Sequence, residues 1–113
     1  AGIGYVHTNA LLQAHPKMEK AQLDMKQAAQ KAQQQFQKQS AGKSDAEKQQ
    51  LANNLQRELA QKERDEMTPI MSDIMKAIQQ VRKEKNLDVV LESGAVVDGG
   101  VDVTSDVAAK LGK

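Results

Sequence analysis

Cysteine is absent from the 113 residues, which excludes disulfides, thiol nucleophiles and zinc–thiolate sites. Tryptophan is absent too, and Tyr5 and Phe36 are the only aromatic residues, so the base-stacking platforms of nucleic-acid binders are missing. No run approaches the roughly 20 apolar residues of a membrane-spanning helix, and a secretion leader is not visible in the chain. Neither charge sign dominates, the formal balance being +1. The 39% hydrophobic fraction leans on alanine rather than on bulky side chains. Burial contributes roughly 25 cal/mol per Å² against roughly 1–2 kcal/mol of backbone ordering per residue, so a chain this poor in large apolar residues is expected to self-associate.

What is present is a long helical stretch. Met18, Ala21, Met25, Ala28, Ala32 and Gln35 recur at spacings of 3, 4, 3, 4 and 3, the seam of a coiled-coil heptad. Pro16 suits the first turn of this helix, where its missing N–H costs nothing. Ser40-Ala41-Gly42 reads as a stop. Ser44-Asp45-Ala46-Glu47 reads as a capping box that starts a second helix. A turn centred near Gly42 makes antiparallel neighbours sum to about 84 or 85, setting Met25 beside Leu59, Ala29 beside Leu55, Ala32 near Ala52 and Met18 beside Met67. Pro16 then falls level with Pro69, where proline inside a helical pattern costs roughly 3 kcal/mol and kinks the helix. The two prolines are therefore expected to act as a hinge. Beyond Pro69, Ile70, Ile74, Ile78 and Val81 form a stronger apolar stripe. The arm from Pro16 to Ser40 should measure about 36 Å at 1.5 Å per residue.

The chain ends carry the strand formers. Ile3 to Val6 predicts a strand, followed by a brief helical turn capped by Thr8 or Asn9. Asn86 is a helix stop, Leu87 to Glu92 predicts a strand, and turn signals at Ser93-Gly94 and Asp98-Gly99-Gly100 flank the runs Ala95 to Val97 and Val101 to Val103. Gly99-Gly100 reads as a hairpin turn, and Thr104 as the cap of a last helix ending at Leu111. The fold class is therefore α+β. A long antiparallel coiled-coil hairpin projects from a small β body assembled from both chain ends. The whole is a single domain with its body in residues 1–15 and 70–113, its arm in 16–69 and its tip near 40–44.

Charge is distributed unevenly over these parts. Residues 16–85 hold fourteen Lys or Arg against ten Asp or Glu, and residues 86–113 hold two against five. The arm is mildly cationic and the closing segment mildly acidic. His7 and His15 lack a third metal ligand at useful spacing and read as surface or capping residues. Asp98, Asp102 and Asp106 do not follow the calcium-loop pattern and read as turn and cap residues. Gly99-Gly100 lacks the further glycine of a phosphate loop. No catalytic site, metal or cofactor is expected. The six glutamines between Gln30 and Gln39 make a solvated helix face that can also touch many sequences weakly.

Ile3-Gly4-Tyr5-Val6 followed by a leucine pair and Pro16 resembles the opening of the Skp/OmpH-like periplasmic chaperones. The match is stronger at the other end, through Pro69-Ile70, Ala77-Ile78, Val81, Leu87-Asp88-Val89-Val90-Leu91, Ala95-Val96-Val97 and Asp102-Val103-Thr104-Ser105-Asp106-Val107. The resemblance implies a homotrimer of jellyfish-like architecture, in which short strands build a common body and three helical hairpins surround a cavity. It implies an ATP-independent holdase of the periplasm that keeps unfolded outer-membrane proteins from aggregating and meets a membrane surface during delivery. Nucleic acid is not among its partners. On this reading Ile3, Val6, Ile74, Ile78, Val81, Val89, Leu91, Val96 and Val103 serve trimer assembly. Met18, Met25, Phe36 and Leu51 serve client contact or the hairpin core. The competing reading is a structural coiled-coil adapter that binds one folded partner.

Overall fold

The computed structural model describes residues 2–112 and has mixed α+β structure that is mostly helical. Its elements are β1 (Ile3–Val6), α1 (Thr8–Ala14), α2 (Met18–Gln39), α3 (Asp45–Glu84), β2 (Val89–Glu92), a 3-10 turn (Ser93–Ala95), β3 (Val101–Asp102) and α4 (Thr104–Leu111). The chain divides into two compact units. One takes the residues up to 19 and those from 69 onward, the other residues 20–68.

The first unit is built on a three-stranded sheet of order β2-β1-β3, so strands from the two chain ends do meet. Both neighbours run parallel to β1, with Ile3 opposite Val89, Tyr5 opposite Leu91 and Asp102 opposite Tyr5. Parallel pairing overturns two sequence expectations. Parallel strands cannot be joined by a tight hairpin, so Gly99-Gly100 is not a hairpin turn. It lies in the connection that carries the chain from one flank of β1 to the other, and both glycines have positive φ, 82° and 81°. Ala95 to Val97 is not a strand either, since the 3-10 turn ends at Ala95 and Val96 and Val97 have no strand partners.

One face of the sheet is covered within the unit. Val6, Leu11, Ile70, Ile74, Ala77, Val81, Leu87, Val103, Val107 and Leu111 are buried, and α1 packs on α4. Spacings of four, three and four from Ile70 to Val81 place one stripe of α3 in this core. Gly4 is buried beneath Leu87, and a Cβ at this position would lie 2.7 Å from Leu87 Cδ1. Leu87 itself is not in a strand, because it completes the end of α3. Asn86 takes the left-handed conformation at φ 55°, its N–H bonds the Lys83 carbonyl and the Leu87 N–H bonds the Arg82 carbonyl, which is a Schellman motif.

The second unit consists of two antiparallel helical segments from α2 and α3, joined through Ser40–Ser44. Gly42 sits at φ 74°, and the Lys43 N–H bonds the Ser40 carbonyl. The capping box forms as expected, with Ser44 N–H donating to Glu47 Oε1 at 3.1 Å and Glu47 N–H to Ser44 Oγ at 3.2 Å. Ala29, Ala32 and Phe36 line one groove with Ala52, Leu55 and Leu59. The seam ends differently. Gln35 is exposed and Phe36 is half-buried, because an aromatic side chain gains more from shelter than a glutamine amide that water already solvates.

Two smaller expectations also change. α2 begins at Met18, and Pro16 lies in the turn before it rather than in its first turn. His7, not Thr8 or Asn9, occupies the N-cap of α1. Pro69 lies inside α3, as the helical pattern around it suggested, and its ring nitrogen leaves the Asp65 carbonyl without its usual helix donor.

Candidate functional site

In the first unit, polar side chains gather where the parallel strands end. Glu92, the last residue of β2, accepts from the Thr8 N–H at 3.2 Å and from the Thr8 hydroxyl. These bonds, the hydroxyl's first, hold the Glu92 carboxyl below the usual carboxylate range. Asp102, the last residue of β3, accepts from both the N–H and the hydroxyl of Thr104, at 2.9 and 2.6 Å, and is likewise held low, chiefly by that hydroxyl. Thr104 is thus the first residue of α4 rather than its cap; Val103 holds the N-cap without a side-chain bond, and Asp102 accepts the Thr104 N–H from the position before it. The Thr104 oxygen is free to accept the His7 N–H at 3.0 Å. His7 reaches Asp102 at 3.6 Å and meets the Tyr5 ring edge-on. Each carboxylate is occupied with a neighbouring helix start, a structural use rather than a catalytic one. Among the described residues no group of three side chains could hold a metal ion.

His15 departs from the surface reading, since it is only 5% exposed. Its Nδ1 accepts the Lys17 N–H at 3.0 Å and its Nε2 lies 2.8 Å from Asp73 Oδ2. The capping role is real, and Asp73, which had no assigned role, is its partner. Their 58-residue separation in sequence hides the pairing. Asp73 sits one turn after Pro69 on α3 and His15 immediately precedes Pro16, so this bond joins the two stretches of chain that carry the prolines.

Of the residues assigned to assembly, Val6, Ile74, Val81 and Val103 are buried inside the unit, Ile78, Leu91 and Val96 are half-buried, and Ile3 and Val89 are exposed. Ile3 and Leu91 line a groove of about 320 Å³ with the Ala95–Gly100 connection. Val97 and Val101, on that connection and on β3, are also exposed, as are Met71 and Met75 on α3. The sequence reading missed all four, because parallel pairing and the direction in which α3 turns its faces are not written in a local pattern.

Of the residues assigned to client contact or hairpin core, Met18 is buried and Met25, Phe36 and Leu51 are half-buried. In the second unit Leu23 is the large apolar residue that stands exposed. Two i,i+4 ion pairs lie on the polar surface there. Lys20 bonds Asp24 at 2.9 Å, and Lys62 lies 3.9 Å from Glu66. The Lys20 bond is the main reason that Asp24 titrates below, and Lys20 above, its ordinary value. A second groove, of about 530 Å³, runs between the helices past Ala28, Lys31, Gln35, Leu55, Leu59 and Lys62. Its mixed lining has no convergent polar set that would fix a small ligand.

Among the described residues no helix is long and apolar enough to cross a membrane. No curated protein matches the chain. A family model described as outer membrane protein (OmpH-like) matches residues 39–111, from the end of α2 through α3, β2 and β3 to α4. That span is well over half of the chain, and the chain belongs to the OmpH-like family.

Proposed function

We propose that this protein is an ATP-independent holdase of the periplasm that binds unfolded outer-membrane proteins and prevents their aggregation. The OmpH-like family is a non-enzymatic chaperone family of that compartment, which supports the class of activity. The observation that carries the finer reading is the placement of exposed apolar side chains. Ile3, Met71, Met75, Val89, Val97 and Val101 lie in the first unit, whereas the helical pair exposes Leu23 and is otherwise polar or half-sheltered. An apolar surface of this kind on a small body marks an association site. We assign the part of it carried by the strands and their connection, not the Met71 and Met75 face of α3, to a homotrimer, with Ile3, Val89, Leu91 and Val96 at the contacts and Val6, Ile74, Ile78, Val81 and Val103 as the support beneath them.

Three helical hairpins then enclose the guest. Contacts with Gln, Lys and Ala side chains are individually weak, and their number gives avidity without imposing a conformation. Met25, Phe36 and Leu51, half-sheltered, add apolar contact where the helices part, with Met18 at the root of the seam. Pro16 and Pro69 act as a hinge that fits the cavity to guests of different size. The unit boundary between residues 68 and 69 supports the choice of Pro69.

Two measurements test the proposal. Light scattering at micromolar concentration should give three times the chain mass of 12.4 kDa. Dilution of several unrelated outer-membrane proteins from denaturant should leave them soluble at one trimer per guest. A stable monomer sinks the assembly. Failure to protect any of these guests favours an adapter for one folded partner.

A further inference from the structure

Met71 and Met75 lie one turn apart on α3 and are 40% and 53% exposed. The chain has no cysteine, so its five methionines are its most readily oxidised side chains. The other three are better sheltered, Met18 at 5% exposure and Met25 and Met67 half-buried. We propose that Met71 and Met75 form an oxidation site, modified by peroxide or hypohalous-acid oxidants ahead of the other methionines, and that conversion of both to sulfoxide withdraws apolar surface from the first unit without unfolding it.

The chemistry needs only the oxidant. A thioether lone pair attacks one peroxide oxygen and the O–O bond breaks. Sulfur gives up two electrons and becomes S=O, and the other oxygen leaves as water after proton transfer. With hypochlorous acid the O–Cl bond breaks instead, and chloride and a proton leave.

Helix geometry explains why the fold survives. Met71 follows buried Ile70 and Met75 follows buried Ile74, so each methionine stands about 100° around the helix from a core residue. At half exposure the sulfoxide oxygens can be hydrated, and no buried polar group is created. The other exposed apolar residues of this unit, Ile3, Val89, Val97 and Val101, are β-branched and inert to such oxidants. Oxidation therefore alters one part of the apolar surface and spares the rest. On the holdase reading, on which this consequence rests, the altered part is the adaptable one, because methionine adjusts its shape to varied guests.

The test treats the full chain with graded hydrogen peroxide and maps the added oxygen by peptide mass spectrometry. Oxygen should accumulate at Met71 and Met75 several-fold faster than at Met18, Met25 or Met67, with the helical circular-dichroism melt unchanged. Equal rates at Met25 or Met67, or a lost melt, overturn the site. The double variant Met71→Leu with Met75→Leu keeps the surface apolar and resists the oxidant. Treated wild type should lose aggregation suppression several-fold relative to untreated wild type, whereas the variant, whatever its own untreated level, should suppress equally before and after treatment. Undiminished suppression by treated wild type overturns the consequence. An untreated chain that protects no guest sinks the holdase reading and this consequence with it, and leaves the site to be decided by the peptide map.

Discussion

His15 Nε2 lies 2.8 Å from Asp73 Oδ2 while Nδ1 of the same ring accepts the Lys17 N–H at 3.0 Å. Because Nδ1 accepts, the ring proton resides on Nε2 and is donated to Asp73. A neutral imidazole thus satisfies both partners, and among the described residues no buried side-chain nitrogen or oxygen is left without a bond. His15→Ala removes both bonds, strands the Lys17 N–H and opens a cavity. We expect a loss of about 1–3 kcal/mol in urea unfolding. Asp73→Asn should cost less, since its amide oxygen can still accept and its side chain is 49% exposed. A larger loss from Asp73→Asn than from His15→Ala would show that the ion, not the buried ring, holds the joint.

Acid should weaken the fold through a small set of carboxylates. Asp73 is held below its ordinary value by the hydrogen bond from His15, Asp102 by that from Thr104, Glu92 by that from Thr8 and Glu47 by the Ser44 N–H. A carboxyl whose folded value is depressed binds its proton more readily in the unfolded chain. Its stabilisation is therefore complete well above the unfolded value, about 4, and disappears as pH falls through the folded value. Melting temperature should drop below about pH 4 through these carboxylates. Asp102→Asn should make that drop shallower. An unchanged acid slope in the variant would remove Asp102 from the set.

Gly4→Ala should destabilise the sheet. The new methyl would stand 2.7 Å from Leu87 Cδ1 and 3.5 Å from Val90 Cγ2, and Leu87 is itself buried. Overpacking of this kind costs roughly 1–3 kcal/mol. Combining Gly4→Ala with Leu87→Ala should recover part of the loss, and strictly additive losses in a double-mutant cycle would contradict the contact.

The helical half of this fold was legible because its signals are local. Ser44 and Glu47 lie three residues apart and form the box their types announce, and Asn86 ends α3 as its propensity suggests. The strands at both chain ends were legible as runs of β-branched residues, but their direction was not. Two short runs around glycines fit a hairpin or a parallel crossover equally well, and the choice rests on β1 lying between them. The same nonlocality hid the Asp73 partner of His15, 58 residues away in the chain. It also hid the split of the assembly candidates into buried Val6, Ile74, Val81 and Val103 and exposed Ile3 and Val89, since alternation on one strand does not say which face another element covers.

Ser44→Ala should act locally. Loss of the N-cap oxygen costs about 1 kcal/mol, and it falls on the first turn of α3, beside the Gly42 turn. Amide exchange at residues 45–48 should accelerate while exchange near buried Ile74 stays unchanged, because helix ends open without the core. Uniform acceleration along α3 would instead make the tip and the core one cooperative unit.

Pro69→Ala tests the hinge. Alanine restores an N–H that can bond the Asp65 carbonyl, removes the ring clash with the preceding turn and is the best helix former. If Pro69 supplies the flexibility we assign to it, the variant should melt at a higher temperature and give a narrower distribution of dimensions in small-angle scattering. Large guests should then be protected less well than small ones, because a stiffer enclosure accommodates a narrower range of volumes. Pro16→Ala is the companion variant. It changes the turn between α1 and α2 rather than a helix interior, and no helix bond is gained, so its effect on melting should be smaller. A Pro69→Ala chain with an unaltered scattering distribution and the same guest-size range would place the flexibility elsewhere, in the Ser40–Ser44 connection or nowhere.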